Sequence, residues 1–251
     1  MGAALIHGLL GAGRDANSIF VCETSAGRRA ELAGMFRGVK VGHDVPACGE
    51  AIIAVKPADA GVVSSAVVAA GAKRIVSIAA GVRLAALRAA CGGGVRIIRA
   101  MPNTAATVGL SATAIALTDD CDDDDRKWAN ELLSSVGSVV EIPESMMDAF
   151  TGFVGSGPAY LFYVAEALRD AAIAEGFDEE LSNQLVARVL AGSAALLKEK
   201  PEAAAELRAR VTSPNGTTAA GVRVFDERNV RDTIAAAVRA ATRRSKELGD
   251  A

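Results

Sequence analysis

Two kinds of hydrophobic periodicity divide the chain near Pro143. Before it, short runs of β-branched and other apolar residues alternate with segments in which apolar residues recur every three or four positions. The short runs predict buried strands and the longer segments predict amphipathic helices. The predicted strands are Ser18–Val21, Ala51–Val55, Arg74–Ser77, Arg96–Arg99, Ser111–Leu117 and Ser138–Ile142. The predicted helices between them are Ala3–Leu10, Arg28–Phe36, Ala60–Ala70, Arg83–Ala90 and Asp124–Ser134.

After Pro143 only the helical period remains. The predicted helices here are Ser145–Phe150, Pro158–Glu175, Glu179–Lys198, Glu202–Arg210, Thr218–Phe225 and Val230–Leu248. Alternating strands and helices indicate a parallel sheet covered by helices on both faces, with a ligand crevice at the carboxyl ends of its strands. We therefore expect an α/β domain at residues 1–143 and an all-α domain at residues 144–251. The Ala-rich faces of the last helices favour burial against a second copy, with a twofold dimer as the usual arrangement.

The amino-acid composition and net charge indicate which kinds of binding partner to expect. The chain is 51% hydrophobic with a net charge of −3, which indicates a globular protein and gives no electrostatic reason to expect nucleic acid or an anionic membrane. Gly, Arg or Lys interrupts each apolar stretch before the roughly 18 residues that a membrane span needs. Without a positively charged leader, the chain is expected to be cytoplasmic.

Residues with metal-binding side chains do not cluster. Cys22, Cys48, Cys91 and Cys121 are far apart and only two histidines occur, so we expect buried free thiols and no metal site. The aspartates between Asp119 and Asp125 suggest a calcium loop, but the turn glycine and closing glutamate of such a loop are absent. Acidic residues before a helix favour its N-terminal dipole, so a helix start is the simpler interpretation.

The first residues predict a helix that begins in the middle of a motif. In a dinucleotide-binding unit, a strand precedes G-x-G-x-x-G and the third glycine opens the helix. Gly2 would be that third glycine, so the first strand is expected to be absent from this chain and encoded upstream of Met1. Glu23, 21 residues later, falls where an acidic residue bonds the cofactor ribose, which favours NADH. Arg28 and Arg29 either attract a 2′-phosphate instead or form a solvated first helical turn.

Three groups of segments together resemble the pyrroline-5-carboxylate reductase family, in an order and spacing that cover nearly the whole chain. They are Ile52–Pro57 with Val76–Gly81 and Arg99–Thr104; Phe150–Gly152 with Gly155–Tyr160; and Val211–Thr218 with Gly221-Val222 and Phe225-Asp226. The resemblance implies a Rossmann-type domain followed by a helical substrate and dimerisation domain. It further implies a homodimer or higher homo-oligomer in which NADPH, or NADH, reduces 1-pyrroline-5-carboxylate to L-proline.

The site residues are those that the same resemblance implies, together with Gly2 and Glu23 from the dinucleotide motif. Those expected to contact the cofactor are Gly2, Glu23, Ala54, Val55, Lys56, Pro57, Ile78, Ala79, Ala80 and Asn103. Those expected to contact the substrate are Glu144, Ser213, Gly216, Thr217 and Thr218, with Thr218 as the catalytic residue. Arg210 departs from a frequent asparagine of the family, which leaves one cofactor contact in doubt.

The chemistry of the predicted site residues is consistent with binding the substrate and the cofactor. The turn Ser213–Thr218 leads into a helix whose free N–H groups can hold a carboxylate, although an Asn-Gly turn that merely caps a helix would look the same. Lys56 is a candidate acid, but a Lys-Pro pair more simply ends a strand and lines the crevice. Two other functions remain open: an inactive relative that only dimerises through its helices, and a related imine or hydroxyacid reductase.

Overall fold

A computed structural model describes residues 1–250 and divides the chain into two compact units. The first unit comprises Met1–Ser156 together with the chain from Ala240 onwards, and the second comprises Gly157–Arg239. The first unit contains all the strands of the described residues and the second is helical. A Rossmann-like α/β domain followed by helices is therefore confirmed, while the predicted boundary after Pro143 stays a prediction.

The first unit has two sheets. Strands β1 (Phe20–Cys22) and β2 (Lys40–Gly42) form a parallel pair. Strands β3 (Glu50–Ile53), β4 (Arg74–Ser77), β5 (Arg96–Met101), β6 (Ser111–Leu117) and β7 (Gly137–Glu141) form a second sheet in that order. β1 and β3 are not hydrogen-bonded to each other, so each leaves one edge unpaired.

The sheet is mainly parallel, as predicted, and departs from this arrangement at one pair. β6 runs antiparallel to β5, with Ala100 opposite Ile115. The residues between these strands form only a 3₁₀ turn, Thr104–Val108. A parallel crossover needs roughly a dozen residues or more, so the chain reverses instead.

Six helices accompany the strands of the first unit: α1 (Gly2–Gly11), α2 (Ala26–Met35), α3 (Pro57–Ala69), α4 (Leu84–Cys91), α5 (Asp123–Ser134) and α6 (Met147–Phe150). Neighbouring residues of the central strands point to opposite faces, and both faces are buried. Ile75 and Ile97 pack with residues of α3 and α4, whereas Val76 and Ile98 pack with α1 and α5. Helices on both faces explain why these strands are apolar throughout.

Helix α1 connects the two sheets. Leu5 packs with Val76 and Ile98 of the five-stranded sheet, and Ile6 packs with Leu32 of α2 beside the β1–β2 pair. On its far side, a Cβ added at Gly8 would lie 2.5 Å from Val136 Cγ1. Only glycine fits at that point, so Gly8 lets α1 approach the turn that follows α5.

Several element ends differ from the predictions because of helix caps. α2 begins two residues early, since the Ser25 hydroxyl accepts a hydrogen bond from Arg28 N–H at 3.4 Å. α3 begins at Pro57, which suits a first helical position because proline has no N–H to leave unpaired. The strand β2 was not predicted; at three residues, including Lys40 and Gly42, it carries almost no apolar pattern.

The helices of the second unit are α7 (Gly157–Ala174), α8 (Glu179–Glu199), α9 (Ala204–Arg210), α10 (Thr217–Glu227) and α11 (Val230–Asp250), whose last part belongs to the first unit. Gly176 ends α7 with φ +100°, the left-handed conformation that favours glycine. Apolar side chains remain exposed on α7 and α8, among them Phe162, Tyr163 and Val189. Among residues 1–250, no helix has the length and apolar character needed to cross a membrane.

Candidate functional site

The predicted cofactor residues collect at one edge of the five-stranded sheet. Ala54–Pro57 follow β3, Ile78–Ala80 follow β4, and Asn103 comes two residues after β5. Because these three strands are parallel neighbours, their carboxyl ends lie side by side. This is the edge at which open α/β sheets bind their ligands.

Two helix N-termini meet at this edge. Gly2 opens α1, and a Cβ placed on it would lie 3.5 Å from the Cβ of Ala54. α3 starts directly after Lys56, whose side chain is exposed. Neither Met1 nor Lys56 caps its helix with a side-chain hydrogen bond. First-turn N–H groups without a cap favour a bound anion, so this corner suits a pyrophosphate.

Glu23 stands at the end of β1 with its carboxylate turned toward its own loop. Its Oε1 accepts a hydrogen bond from Ser25 N–H at 2.8 Å. Arg29 Nη1 donates to the carbonyl oxygens of Glu23 and Thr24 at 2.8 and 2.7 Å, so its guanidinium stabilises the loop. Arg28 is paired with Glu31 at 2.7 Å on the surface of α2. The Glu23 carboxylate is therefore fixed at the end of β1 by a backbone N–H.

The segment Ile78–Gly81 follows β4, and a backbone hydrogen bond to β3 fixes its first residue. Ile78 N–H donates to Ile53 O at 3.0 Å, which continues the pairing with β3 by one residue. Ala79 is buried and Ala80 is exposed. Gly81 then turns the chain with φ +78°. Ala79 packs into the core, and Ala80 presents a small exposed side chain after β4.

Glu144 contacts two groups of the first unit. Its Oε1 accepts a hydrogen bond from Leu84 N–H at 2.6 Å and lies 3.1 Å from Nη1 of the buried Arg99. The Glu144 side chain is 32% exposed, against 5% for Arg99. Arg99 begins the family-like segment Arg99–Thr104, but it is not among the site residues that the sequence predicts. An arginine inside an apolar strand was the available sign, because a buried cation needs a partner.

Asn103 uses its side chain to join two parts of the first unit. Its Oδ1 accepts a hydrogen bond from Ala105 N–H at 3.2 Å, and its Nδ2 donates to Val154 O at 3.3 Å. Val154 belongs to the π-helical segment Thr151–Gly155. Both polar atoms of the amide therefore have protein partners, and a contact with the cofactor stays a prediction.

The predicted substrate turn lies in the second unit. Gly216 N–H donates to Ser213 O at 3.0 Å, and Asn215 has φ +60° between them. Pro214 followed by a residue with positive φ fits a type II turn. Gly216 is the N-cap of α10 and provides no side-chain cap, and Thr217 and Thr218 are exposed. The first turn of α10 thus presents N–H groups and two hydroxyls together.

Two surface clefts lie elsewhere. One of about 510 Å³ is lined by His7, Gly8, Ser134 and Ser135, among others, and a smaller one of about 250 Å³ adjoins Trp128 and Arg14. None of the predicted site residues lines either cleft. Helix N-termini and strand ends converge instead at the sheet edge, where open α/β sheets bind their ligands.

The other candidate segments have structural roles. Asp122 and Asp125 form a reciprocal capping box at the start of α5, as the helix-start interpretation predicted. All four cysteines are free thiols, as expected, but the expectation that they are buried is wrong: Cys22 is exposed, and Cys48, Cys91 and Cys121 are half-buried. Burial raises the pKa of the Cys91 thiol. Across residues 1–250, we find no cluster of His, Cys, Asp and Glu that could hold a metal ion.

Known proteins resemble this chain along almost its full length. The family model described as pyrroline-5-carboxylate reductase dimerisation matches residues 144–248. The pyrroline-5-carboxylate reductase of Synechocystis is 46% identical over 183 residues, which cover 72% of this chain and 68% of that protein. The Mycobacterium leprae enzyme of the same name is 37% identical over 275 residues, covering 99% of this chain and 93% of that protein. A crystal structure of Plasmodium falciparum pyrroline carboxylate reductase with NADP bound has a TM-score of 0.88 and 29% identity, covering 99% and 94% of the two chains.

Proposed function

Because the chain belongs to the pyrroline-5-carboxylate reductase family, we propose that the sheet edge of its first unit holds NADPH and that the turn Ser213–Thr218 holds the substrate. The protein is an NAD(P)H-dependent oxidoreductase that reduces 1-pyrroline-5-carboxylate to L-proline in proline biosynthesis. The bound cofactor supplies the hydride for the C=N bond. The chain has to bind, orient and shield the two reactants.

The cofactor phosphates are assigned to the N-termini of α1 and α3. Gly2 leaves an ordinary van der Waals distance to Ala54, so backbone N–H groups of α1 lie close to the edge. The helix dipoles add partial positive charge at the same corner. Lys56, exposed at the start of α3, adds a full positive charge there. We assign Lys56 to this electrostatic role and not to proton donation.

The nicotinamide end is assigned to Ile78–Ala80. A flat ring requires a small side chain beside it, which the exposed Ala80 provides. The fixed backbone at this position limits the orientations that the ring can take. Orientation of this kind is a large part of what an enzyme contributes to a hydride transfer.

The substrate carboxylate is assigned to the first turn of α10. Its unpaired N–H groups and the Thr217 and Thr218 hydroxyls provide several donors without a cationic side chain. The protonated imine is already electrophilic, so hydride addition to its carbon needs no strong protein acid. Thr218 Oγ1 is proposed to donate a hydrogen bond to the carboxylate or to accept one from the protonated ring nitrogen. Since the imine enters already protonated, hydride addition gives the neutral amine and needs no proton from the chain.

The assembly is proposed to be a homodimer built on the second unit, in the cytoplasm. The dimerisation family model covers residues 144–248. Phe162 and Tyr163 on α7 are 64% and 74% exposed, and large apolar side chains clustered on one helix favour a partner surface. These features support residues 144–251 as the substrate and dimerisation domain.

Replacing Thr218 by alanine tests the substrate assignment. A hydrogen bond to a charged group contributes about 1.5–3 kcal/mol, so kcat/KM for pyrroline-5-carboxylate should fall roughly 10- to 150-fold. The KM for NADPH should stay within about twofold, because the hydroxyl acts on the substrate alone. Steady-state kinetics with each substrate varied in turn measures both effects.

Thr233→Ala is the matched control. Thr233 also lies in the first turn of a helix of the second unit, where its hydroxyl donates to Asn229 O at 3.2 Å. This variant should keep both kinetic constants of the parent. If Thr218→Ala behaves like Thr233→Ala, the Ser213–Thr218 turn only caps α10 and the substrate carboxylate is bound elsewhere.

A further inference from the structure

Arg99 is a buried cation on the central strand of the sheet. It is 4% exposed, and its Nη1 lies 3.1 Å from Glu144 Oε1. A buried arginine is costly unless a carboxylate compensates its charge, so this pair has to persist in the folded protein. The reductase mechanism assigned above uses neither member of the pair as an acid, a base or a ligand for phosphate.

Glu144 links Arg99 to helix α4. The same Oε1 accepts a hydrogen bond from Leu84 N–H at 2.6 Å, and Leu84 is the first residue of α4. The N-cap residue Arg83 provides no side-chain cap. The carboxylate of Glu144 therefore serves as the cap, and its charge is favourable beside the positive end of the helix dipole.

Through the Glu144 contact, Arg99 is linked to both ends of the segment Ile78–Arg83. At its beginning, Ser77 is paired in register with Arg99 across β4 and β5. At its end, Leu84 N–H is bound to Glu144, which is bound to Arg99. One residue thus fixes both ends of the six-residue segment. Packing supports the middle, since a Cβ at Gly249 would approach Gly81 O to 2.9 Å.

We propose that Arg99 is a positioning residue for hydride transfer. Through Glu144 and the N-terminus of α4, it fixes the Ile78–Arg83 segment in the shape that the nicotinamide packs against. This proposal rests on the placement of the cofactor against Ile78–Ala80. It also gives Glu144 a role different from substrate binding, because its Oε1 is directed to groups of the first unit.

The test compares Arg99→Met, Arg99→Lys and Glu144→Gln in the full chain. Methionine removes the cation but keeps an apolar stem, so Glu144 is released and the segment loses one anchor. We expect the KM for NADPH to rise about tenfold and kcat to fall, with the KM for pyrroline-5-carboxylate within about twofold. Lysine restores a charge without the planar fork and should recover part of the loss. Glutamine keeps an acceptor for Leu84 N–H and should resemble the lysine variant.

A double variant tests whether the two residues act through each other. If they do, Arg99→Met combined with Glu144→Gln should have nearly the NADPH KM of Arg99→Met alone, because groups that act as one unit are not additive. Multiplied effects would contradict the proposal. A raised KM for pyrroline-5-carboxylate in Glu144→Gln, with the NADPH KM unchanged, would instead place Glu144 at the substrate and overturn it.

Two further variants test the positioning role of Arg99 and the placement of the cofactor separately. Arg88→Met breaks a comparable ion pair near the other end of α4, where Arg88 Nη2 binds both oxygens of Asp120 at 2.6 and 2.7 Å. It should lower the melting temperature without changing the NADPH KM; an NADPH effect equal to that of Arg99→Met would mean that any loss of α4 stability suffices. Ala80→Leu fills the proposed ring site directly. If it leaves NADPH binding intact, the cofactor placement is wrong; if it weakens binding while Arg99→Met does not, only the positioning proposal is wrong.

Discussion

The contacts of some residues can be predicted from the sequence, whereas those of others depend on the fold. The turn at Ser213–Gly216 was predictable because proline, asparagine and glycine each have local conformational preferences. Asn215 indeed has φ +60°. The cap of α4 by Glu144 was not predictable, because 60 residues separate the two partners and only the fold brings them together. Glu23 is intermediate: its place at the end of β1 followed from spacing, but its bond to Ser25 N–H did not.

Glu23→Ser should shift the cofactor preference toward NADPH. A carboxylate near the ribose repels a 2′-phosphate, and two unit charges about 4 Å apart in water interact by about 1 kcal/mol, or roughly fivefold in affinity. Serine removes the charge and keeps a hydroxyl for the loop. Titration of the variant with NADPH and NADH gives the ratio of the two dissociation constants.

Glu31→Ser provides the comparison for this shift, since it removes the same charge from the exposed surface of α2. It should leave the ratio of the NADPH and NADH dissociation constants within about 1.5-fold of the parent value, as expected for a charge screened by solvent. An equal shift in both variants would indicate a general charge effect. No shift in Glu23→Ser would mean that its carboxylate lies away from the ribose.

At the scale of elements, charges at the amino edge of the sheet fix how α5 docks. Arg74 and Arg96 are register partners on β4 and β5, so two like charges lie side by side. Asp125 of α5 approaches both, with Oδ2 2.9 Å from Arg96 Nε and Oδ1 3.5 Å from Arg74 Nη1. The guanidinium of Arg74 also lies 4.5 Å above the Trp128 ring. The sequence indicated the start of α5, but the ion pairs required the strand register.

Asp125→Ala should strongly destabilise the first unit. The carboxylate is fully buried, and its removal leaves Arg96 without its ion-pair partner, whereas Arg74 keeps its ion pair with Glu50. Breaking a buried pair costs about 3–5 kcal/mol, and partial exposure of both arginines favours the lower end. Urea unfolding followed by circular dichroism measures the loss. Asp124→Ala, one residue earlier on the exposed side of α5, should cost under about 1 kcal/mol; equal losses would show that only the helix dipole is involved.

At the scale of the molecule, the fold class was predictable because the hydrophobic period changes once, at the end of the strands. The direction of β6 was not, since an apolar run looks the same in parallel and antiparallel pairing. Only the length of the preceding connection could have indicated the reversal. The division into compact units could not be predicted from the sequence either. Helix α11 is continuous, but its last part, from Ala240, belongs to the first unit.

The separate β1–β2 pair has a consequence for amide hydrogen exchange. A two-stranded sheet is marginally stable by itself, so its backbone N–H groups should exchange with deuterium through local opening. Those of β4 and β5, paired on both sides, should exchange only when the first unit unfolds. Mass spectrometry of peptic fragments should therefore show residues 19–23 exchanging at least about tenfold faster than residues 74–78. Saturating NADPH should slow the first segment selectively if the ribose binds at Glu23, so the unpaired edge of β1 also reports where the cofactor lies.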